Sequence, residues 1–342
     1  VVAGMTVAGE DEGGVGAEPC SLRAARRWFL PDGATTRGRL SGIVVMNPFD
    51  SEAVLDVTLA GDAGEIRPGS LKGVVLAPRR SIAFSLNRFA LGEEALGAAV
   101  EVSLGRVAAA SVGSGDTSLR LALGAPAPSR TWTLPGLGYT SSSVNLMTPG
   151  ASSVPFSARL STSTDQRVLL EEETASAGQA VRYPVVEPDA SVAIESAGDS
   201  PLVASRRFAL ERGLDQAASG GTPLAASDWV AVPAVGAWAG EVRLAIANPG
   251  MEPASVDLSY LTAEGPREAA EIASVDVPPG RSVSVDLSAS LGEDPAAVVA
   301  RATSGRIVAG LVGASEDGYW MALGARIDSF SEAPSPGMME RP

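Results

Sequence analysis

A repeat constrains this chain more than any other feature. Between Gly42 and Leu59 an apolar run ends at Asn47-Pro48, and Val54-Leu55-Asp56-Val57-Thr58-Leu59 follows within a few residues; the same pattern returns between Leu244 and Tyr260. Pro at the second position of a turn presets φ, and Asn before it bonds the turning backbone, so each copy reads as two strands meeting at a turn. Beyond the turn Leu55, Val57 and Leu59 alternate with Asp56 and Thr58, the period of a strand with one wet face. Asn47 to Asn248, Leu55 to Val256 and Ile82 to Val283 each span 201 residues, and Gly105-Arg106-Val107 returns 200 residues on as Gly305-Arg306-Ile307. Several anchors at one offset mark a duplicated structural unit.

A weaker copy sits midway. Thr148-Pro149-Gly150 lies 101 residues after Asn47-Pro48 and 100 before Asn248-Pro249, Phe156-Ser157-Ala158-Arg159-Leu160 falls where the Leu55 and Val256 strands predict, and Trp28, Trp132 and Trp229 open the three units. A period near 100 residues is far longer than a solenoid repeat and matches one small β-sandwich. The expected fold is therefore all-β, with three tandem immunoglobulin-like β-sandwich units. The alternative is a compact pseudo-threefold β assembly whose units share strands.

The expected boundaries are a flexible linker over 1–20, unit one over 21–127, a divergent unit two over 128–220, unit three over 221–328 and a disordered tail over 329–342. Within unit one, strands are predicted at 42–47, 53–60, 72–77, 81–86, 97–104, 106–112 and 118–124, after an opening strand at 22–30. A single helical turn is the most that 87–96 suggests. Ala125-Pro126-Ala127-Pro128-Ser129 reads as a short, semi-rigid joint. The second joint, 213–227 with Gly220-Gly221-Thr222-Pro223, reads as longer and freer.

The chemistry available to the chain is narrow. There is no histidine, which removes Ser-His-Asp and Cys-His catalysis and every His-containing metal site. Cys20 is the single cysteine, so no intrachain disulfide forms, and the residues before it do not make a lipoprotein cleavage box. Lys72 is the only lysine among 26 basic residues, and no Ser-x-x-Lys precedes it. Among carboxylates, Glu171-Glu172-Glu173 is the densest run, with Glu93-Glu94 and Glu293-Asp294 behind it. Such a run reads first as a solvated loop or edge; as a functional surface it is the candidate partner-binding site. Asp116 and Glu316-Asp317-Gly318 supply too few ordered oxygen ligands for calcium, and Pro135-Gly136-Leu137-Gly138 lacks the rest of a dinucleotide fingerprint. No catalytic, cofactor-binding or metal residue is assigned, and no cofactor is expected.

A net charge of −14 repels phosphate backbones, so nucleic acid is not an expected partner. No apolar run reaches the roughly 18 residues of a spanning helix. The acidic, glycine-rich opening around Gly9-Glu10-Asp11-Glu12-Gly13-Gly14 reads as a linker behind a removed signal sequence or anchor, so a membrane enters only through that missing segment. Trp229, Trp238, Tyr139 and Trp320 are the aromatic residues from which a sugar-stacking platform would be built, set against core packing for the tryptophans that recur at unit starts. On that packing, Arg23, Arg26, Arg27, Arg206 and Arg207 are expected to point outward.

Trp28-Phe29-Leu30-Pro31-Asp32-Gly33, Val44-Val45-Met46-Asn47-Pro48, the Pro-led strand at Pro78 and Gly105-Arg106-Val107-Ala108-Ala109 together resemble a family of high-GC Gram-positive bacterial proteins classed only as a domain of unknown function. The resemblance covers 20–327 and is weakest in unit two, where Thr148 replaces the Asn. It implies an extracytoplasmic address, secreted or membrane-anchored, and carries no catalytic residues. The expected function is a non-enzymatic interaction or spacer protein of the cell envelope, with an envelope protein or cell-wall polysaccharide as partner. A carbohydrate-binding envelope protein is the alternative, and a glycan hydrolase a third reading that needs two carboxylates in one cleft.

Overall fold

The computed structural model describes residues 4–8, 14–21, 23–115, 118–138, 141–209, 215–233, 240–269, 271–272, 274–289, 295–315 and 318–327. It is an all-β protein: among the described residues there is no α-helix, only two single 3-10 turns at Gly69–Leu71 and Leu86–Arg88. The alternation that defines the repeat is realised directly. In the strand Ala53–Gly61, Leu55, Val57 and Leu59 are buried while Asp56 and Thr58 are half-buried, as a strand with one face on a core requires.

An N-terminal hairpin of β1 (Gly4–Ala8) and β2 (Val15–Pro19) precedes the first unit. Unit one contains β3 (Arg27–Leu30), β4 (Leu40–Met46), β5 (Ala53–Gly61), β6 (Gly64–Ile66), β7 (Val74–Leu76), β8 (Ser81–Ser85), β9 (Gly97–Leu104), β10 (Ala108–Gly115) and β11 (Ser118–Leu123). Unit two contains β12 (Thr131–Leu134), β13 (Ser141–Met147), β14 (Val154–Ser161), β15 (Gln166–Ala175), β16 (Ala180–Val185), β17 (Ser191–Ser196), β18 (Val203–Ala209) and β19 (Asp215–Gly220). Unit three contains β20 (Asp228–Ala231), β21 (Glu241–Ala247), β22 (Ala254–Thr262), β23 (Gly265–Glu268), β24 (Val275–Val277), β25 (Ser282–Asp286), β26 (Pro295–Ser304), β27 (Val308–Ser315), β28 (Gly318–Leu323) and β29 (Ala325–Arg326).

Each unit is two antiparallel sheets. In unit one the sheets run β3-β9-β5-β6, with β7 also on β5, and β11-β10-β4-β8; units two and three repeat the plan as β12-β17-β14-β15 with β16-β13-β18-β19, and β29-β20-β26-β22-β23 with β25-β21-β27-β28. This is not the immunoglobulin order, in which the first, second, fifth and fourth strands share a sheet. Alternation along a strand fixes which face is buried, not which strand lies alongside. The opening strand is also shorter than its sequence suggests, Arg27–Leu30.

Every unit carries the same two devices. Trp28, Trp132 and Trp229 are buried, and their indole Nε1 groups donate to the carbonyls of Val107, Leu202 and Ile307 at 2.7, 2.9 and 2.7 Å. Each thereby closes the opening strand over the last residue before β10, β18 or β27. At the turn, Asn47 Nδ2 donates to the Ser51, Leu76 and Ala77 carbonyls and its Oδ1 accepts from the Phe49 amide at 3.1 Å. Asn248 does the same with Glu252, Val277 and the Gly250 amide. Thr148, also buried, reaches Ser176 and Gln179 with its hydroxyl.

The units are packed about a common axis. β11, β19 and β28, the last strands of their sheets, pack against one another, and β2 packs against all three. Among the described strands no sheet mixes two units, so the units meet without sharing strands. Two sequence expectations are corrected here. Much of the 1–20 linker is a hairpin whose Val15, Ala17 and Glu18 are buried. The freer second joint, 213–227, instead contains β19, with Ala217, Ala218 and Ser219 buried on the axis and Thr222 bonded to Thr133. The segment 329–342 lies outside the described residues.

Candidate functional site

Glu171, Glu172 and Glu173 are exposed on β15, the edge strand of a unit-two sheet. Register slips there, because Glu173 pairs with Phe156 and Leu170 with Ala158, leaving Glu171 and Glu172 opposite Ser157 alone. Glu172 takes the bulge, with φ of 51° and its amide on Ser157 Oγ at 3.2 Å. None of the three forms an ion pair among the described residues. Charges and a bulge on an edge strand are what prevent a neighbouring chain from adding to the sheet. The geometry accounts for the run by edge protection.

The remaining sequence candidates do not assemble. Trp229 and Trp320 are buried, so neither presents a ring to a sugar, while Tyr139 and Trp238 lie outside the described residues. Glu93 receives the Asp62 amide at 2.6 Å, a structural bond within unit one; Glu293-Asp294 and Asp116 lie outside the description. Among the described residues no three acidic or sulfur-bearing side chains are grouped to hold a metal ion, and no helix is long and apolar enough to cross a membrane. A shallow cleft of about 400 Å³ opens at one end of unit one, lined by Thr35, Arg37, Arg39, Leu40, Asn87 and Leu91 among others.

Charge converges instead on the axis. Arg206 and Arg207, expected to point outward, are fully buried; Arg23, Arg26 and Arg27 do face solvent or its margin. Asp32, just past β3 of unit one, accepts from Arg207 Nε at 2.6 Å and from Asn145 Nδ2 at 3.3 Å, and is ion-paired with Arg207 Nη2 and with Arg120 Nε 3.8 Å away. Arg182 completes this corner, donating to Asn145 Oδ1 at 3.2 Å and to the Gly33 carbonyl at 3.3 Å. Arg206 reaches the Gly136 carbonyl within unit two and the Ala322 carbonyl of unit three at 3.5 Å.

On β2, Glu18 is 1% exposed and its two oxygens accept from amides of different units, Gly220 at 2.7 Å and Leu323 at 3.1 Å. Burial pushes its carboxyl up to about 7, against the pull of those bonds, of Ser219 and of the Arg206 charge. The same burial lowers Arg206 to about 10.

The repeat register contained the signal for this cluster. Pairing on β4, β13 and β21 places Arg206 and Arg207 where unit one has Ser111 and Val112 and unit three has Leu311 and Val312. A charged pair at mid-strand positions that are small or apolar in both siblings points to a buried partner. Asp32, four residues after Trp28, is the matching departure, since Gly136 and Pro233 follow Trp132 and Trp229 at the same interval.

Among curated proteins none matches the chain. A family model described as a family of unknown function, DUF5719, matches residues 1–241 and 233–334. The chain therefore belongs to that family of unknown function.

Proposed function

We propose that the protein is a non-enzymatic interaction module of the bacterial cell envelope, working outside the cytoplasm. One observation carries the reading: among the described residues the buried charged side chains, Glu18, Asp32, Arg120, Arg206 and Arg207, all lie between units, from 0 to 6% exposed. A catalytic carboxylate or base must reach a substrate, whereas these groups are spent on holding three sandwiches in one body. A rigid body with loops at its periphery suits presentation of a binding surface. The envelope address rests on the family resemblance of the Trp28–Gly33 and Val44–Pro48 segments and on the acidic, lysine-poor composition. The partner is an envelope protein or a cell-wall polysaccharide.

The carbohydrate-binding alternative now rests on the unit-one cleft, whose lining includes Arg37 with the exposed Leu40 and Leu91. A tagged chain expressed from its full natural gene in a high-GC Gram-positive host tests the main reading. Protease added to intact cells should degrade the tagged protein while sparing a cytoplasmic control. Full protection until the cells are lysed would overturn the envelope assignment. Retention on isolated cell walls that Arg37→Ala abolishes would favour the polysaccharide partner over a protein one.

A further inference from the structure

The hairpin β1-β2 stands where the last two strands of a unit stand. On the axis the most extensive contacts run from β11 to β19, from β19 to β28, from β28 to β2 and from β2 back to β11, a ring of four positions of which units one, two and three fill three. The spacing agrees with that placement: β2 ends at Pro19, nine residues before Trp28, as β11 ends at Leu123, nine before Trp132, and β19 at Gly220, nine before Trp229. Inside the units the first strand of this hairpin takes a second neighbour, β4 on β10, β13 on β18 and β21 on β27, whereas among the described strands β1 pairs with β2 alone. A two-stranded ribbon with one open edge is half of such a sheet.

Unit one also lacks the neighbour that the other two units have. Where unit one meets unit two, a Cβ on Gly97 would lie 2.8 Å from the Met147 sulfur, a Cβ on Gly178 would lie 3.0 Å from that of Glu65, and the Gln179 side-chain amide donates to the Asp62 carbonyl. Where unit two meets unit three the equivalent turn repeats the contact: Gln166 Nε2 donates to the Gly280 carbonyl at 2.8 Å and Ser282 Oγ to the Ser161 carbonyl at 2.7 Å. Strand pairing gives Met46, Met147 and Ala247 one shared position, opposite Ser81, Ala180 and Ser282. Met147 and Ala247 are 2 and 4% exposed, but Met46 is 50% exposed; Ala180 and Ser282 are buried, while Ser81 is exposed with Arg79 and Arg80 beside it. We infer that β1 and β2 are the closing hairpin of a further sandwich unit on their N-terminal side, and that the outer sheet of that unit covers Met46, Arg80 and Ser81 as units one and two cover their successors. That sheet sets a glycine or alanine under Met46 and carbonyl or carboxylate oxygens against Arg79 and Arg80.

Peroxide oxidation of methionine, read by peptide mass spectrometry, tests this on the product of the full natural gene and on the 342-residue chain side by side. In the 342-residue chain Met46 should oxidise readily while Met147 is protected. In the natural product Met46 should oxidise at least about tenfold more slowly, like Met147. A tryptophan should open the further unit roughly 80 residues ahead of β1, the interval that separates Trp28 from β10. Met46→Glu should lower the melting temperature of the natural product and leave that of the 342-residue chain unchanged. A natural product with too little chain ahead of β1 for the remaining strands, or one in which Met46 oxidises as fast as in the 342-residue chain, would overturn the inference. So would protection of Met46 that rises with the concentration of the 342-residue chain alone, which would give this face to a second copy.

Discussion

Asp32 and Arg207 are 175 residues apart in the chain and 2.6 Å apart in the fold, buried together where unit one meets unit two. Neither has a counterpart in the sibling units, so the pair specifies which units lie side by side. Removing one member of a buried ion pair strands the other charge and typically costs about 3–5 kcal/mol, whereas replacing both by apolar groups is often neutral. Asp32→Asn should therefore lower denaturant stability by about that amount. The double variant Asp32→Leu/Arg207→Met should recover most of the loss. If the two single changes instead add in the double variant, the contact is not coupled as the geometry requires.

The indole latches are a second point of test. Trp28→Phe keeps most of the buried ring but leaves the Val107 carbonyl without its 2.7 Å donor. The carbonyl keeps the Ala25 amide at 2.9 Å, so the loss is one net hydrogen bond, about 0.5–1.5 kcal/mol, and thermal unfolding should show it. The equivalent change at Trp229 should cost a similar amount, because its bond to Ile307 has the same length. Markedly unequal costs would mean that the three latches are not equivalent.

Size matching across the axial hairpins is strict. Arg120 lies opposite Gly113 and Trp320 opposite Gly313, while the middle unit reverses the arrangement with Phe208 opposite Ala217. A Cβ on Gly313 would fall 2.2 Å from the Trp320 ring, so Gly313→Ala must displace a fully buried indole. Overpacking of this kind costs about 1–3 kcal/mol. Gly64→Ala is a control: φ there is 133° and nothing lies within 4 Å, so its cost is backbone strain alone. Gly313→Ala should lower amide protection along β27 and β28 selectively, and protection unchanged there would contradict the packing.

At the β15 edge, Glu171→Gln, Glu172→Gln and Glu173→Gln combined should leave stability within about 0.5 kcal/mol, as exposed substitutions do. Their effect should appear in association. With the edge charges gone, concentration-dependent self-association should rise in sedimentation velocity. If it does not, and binding to an identified basic partner weakens with a flatter salt dependence, the run is a docking surface rather than a guard.

Most strands of unit one, though not β6, and the turns at Asn47 and Asn248 were legible in the sequence because a period of two and an Asn-Pro turn are local signals. Burial of the tryptophans was legible through the spacing of Trp28, Trp132 and Trp229, but the carbonyl each indole bonds was not. The axis was not. Arg206 and Arg207 read as outward neighbours of buried positions; only the repeat register places them against Ser111-Val112 and Leu311-Val312. The hairpin was hidden by the glycine-rich, acidic composition around 9–14, which resembles a linker however Val15 and Ala17 are packed. Sheet order was out of reach for a different reason, since alternation says nothing about which strand lies alongside.

That three units form one body around β2, β11, β19 and β28 is the claim on which the rest depends, and small-angle X-ray scattering of the full chain tests it most directly. A compact chain of 342 residues has a radius of gyration of roughly 20 Å by the size scaling of folded domains. Three sandwiches strung end to end would exceed about 30 Å. A value in the low twenties, unchanged by salt, is the predicted result. A value near 30 Å, or one that grows when salt is raised, would contradict the axial packing.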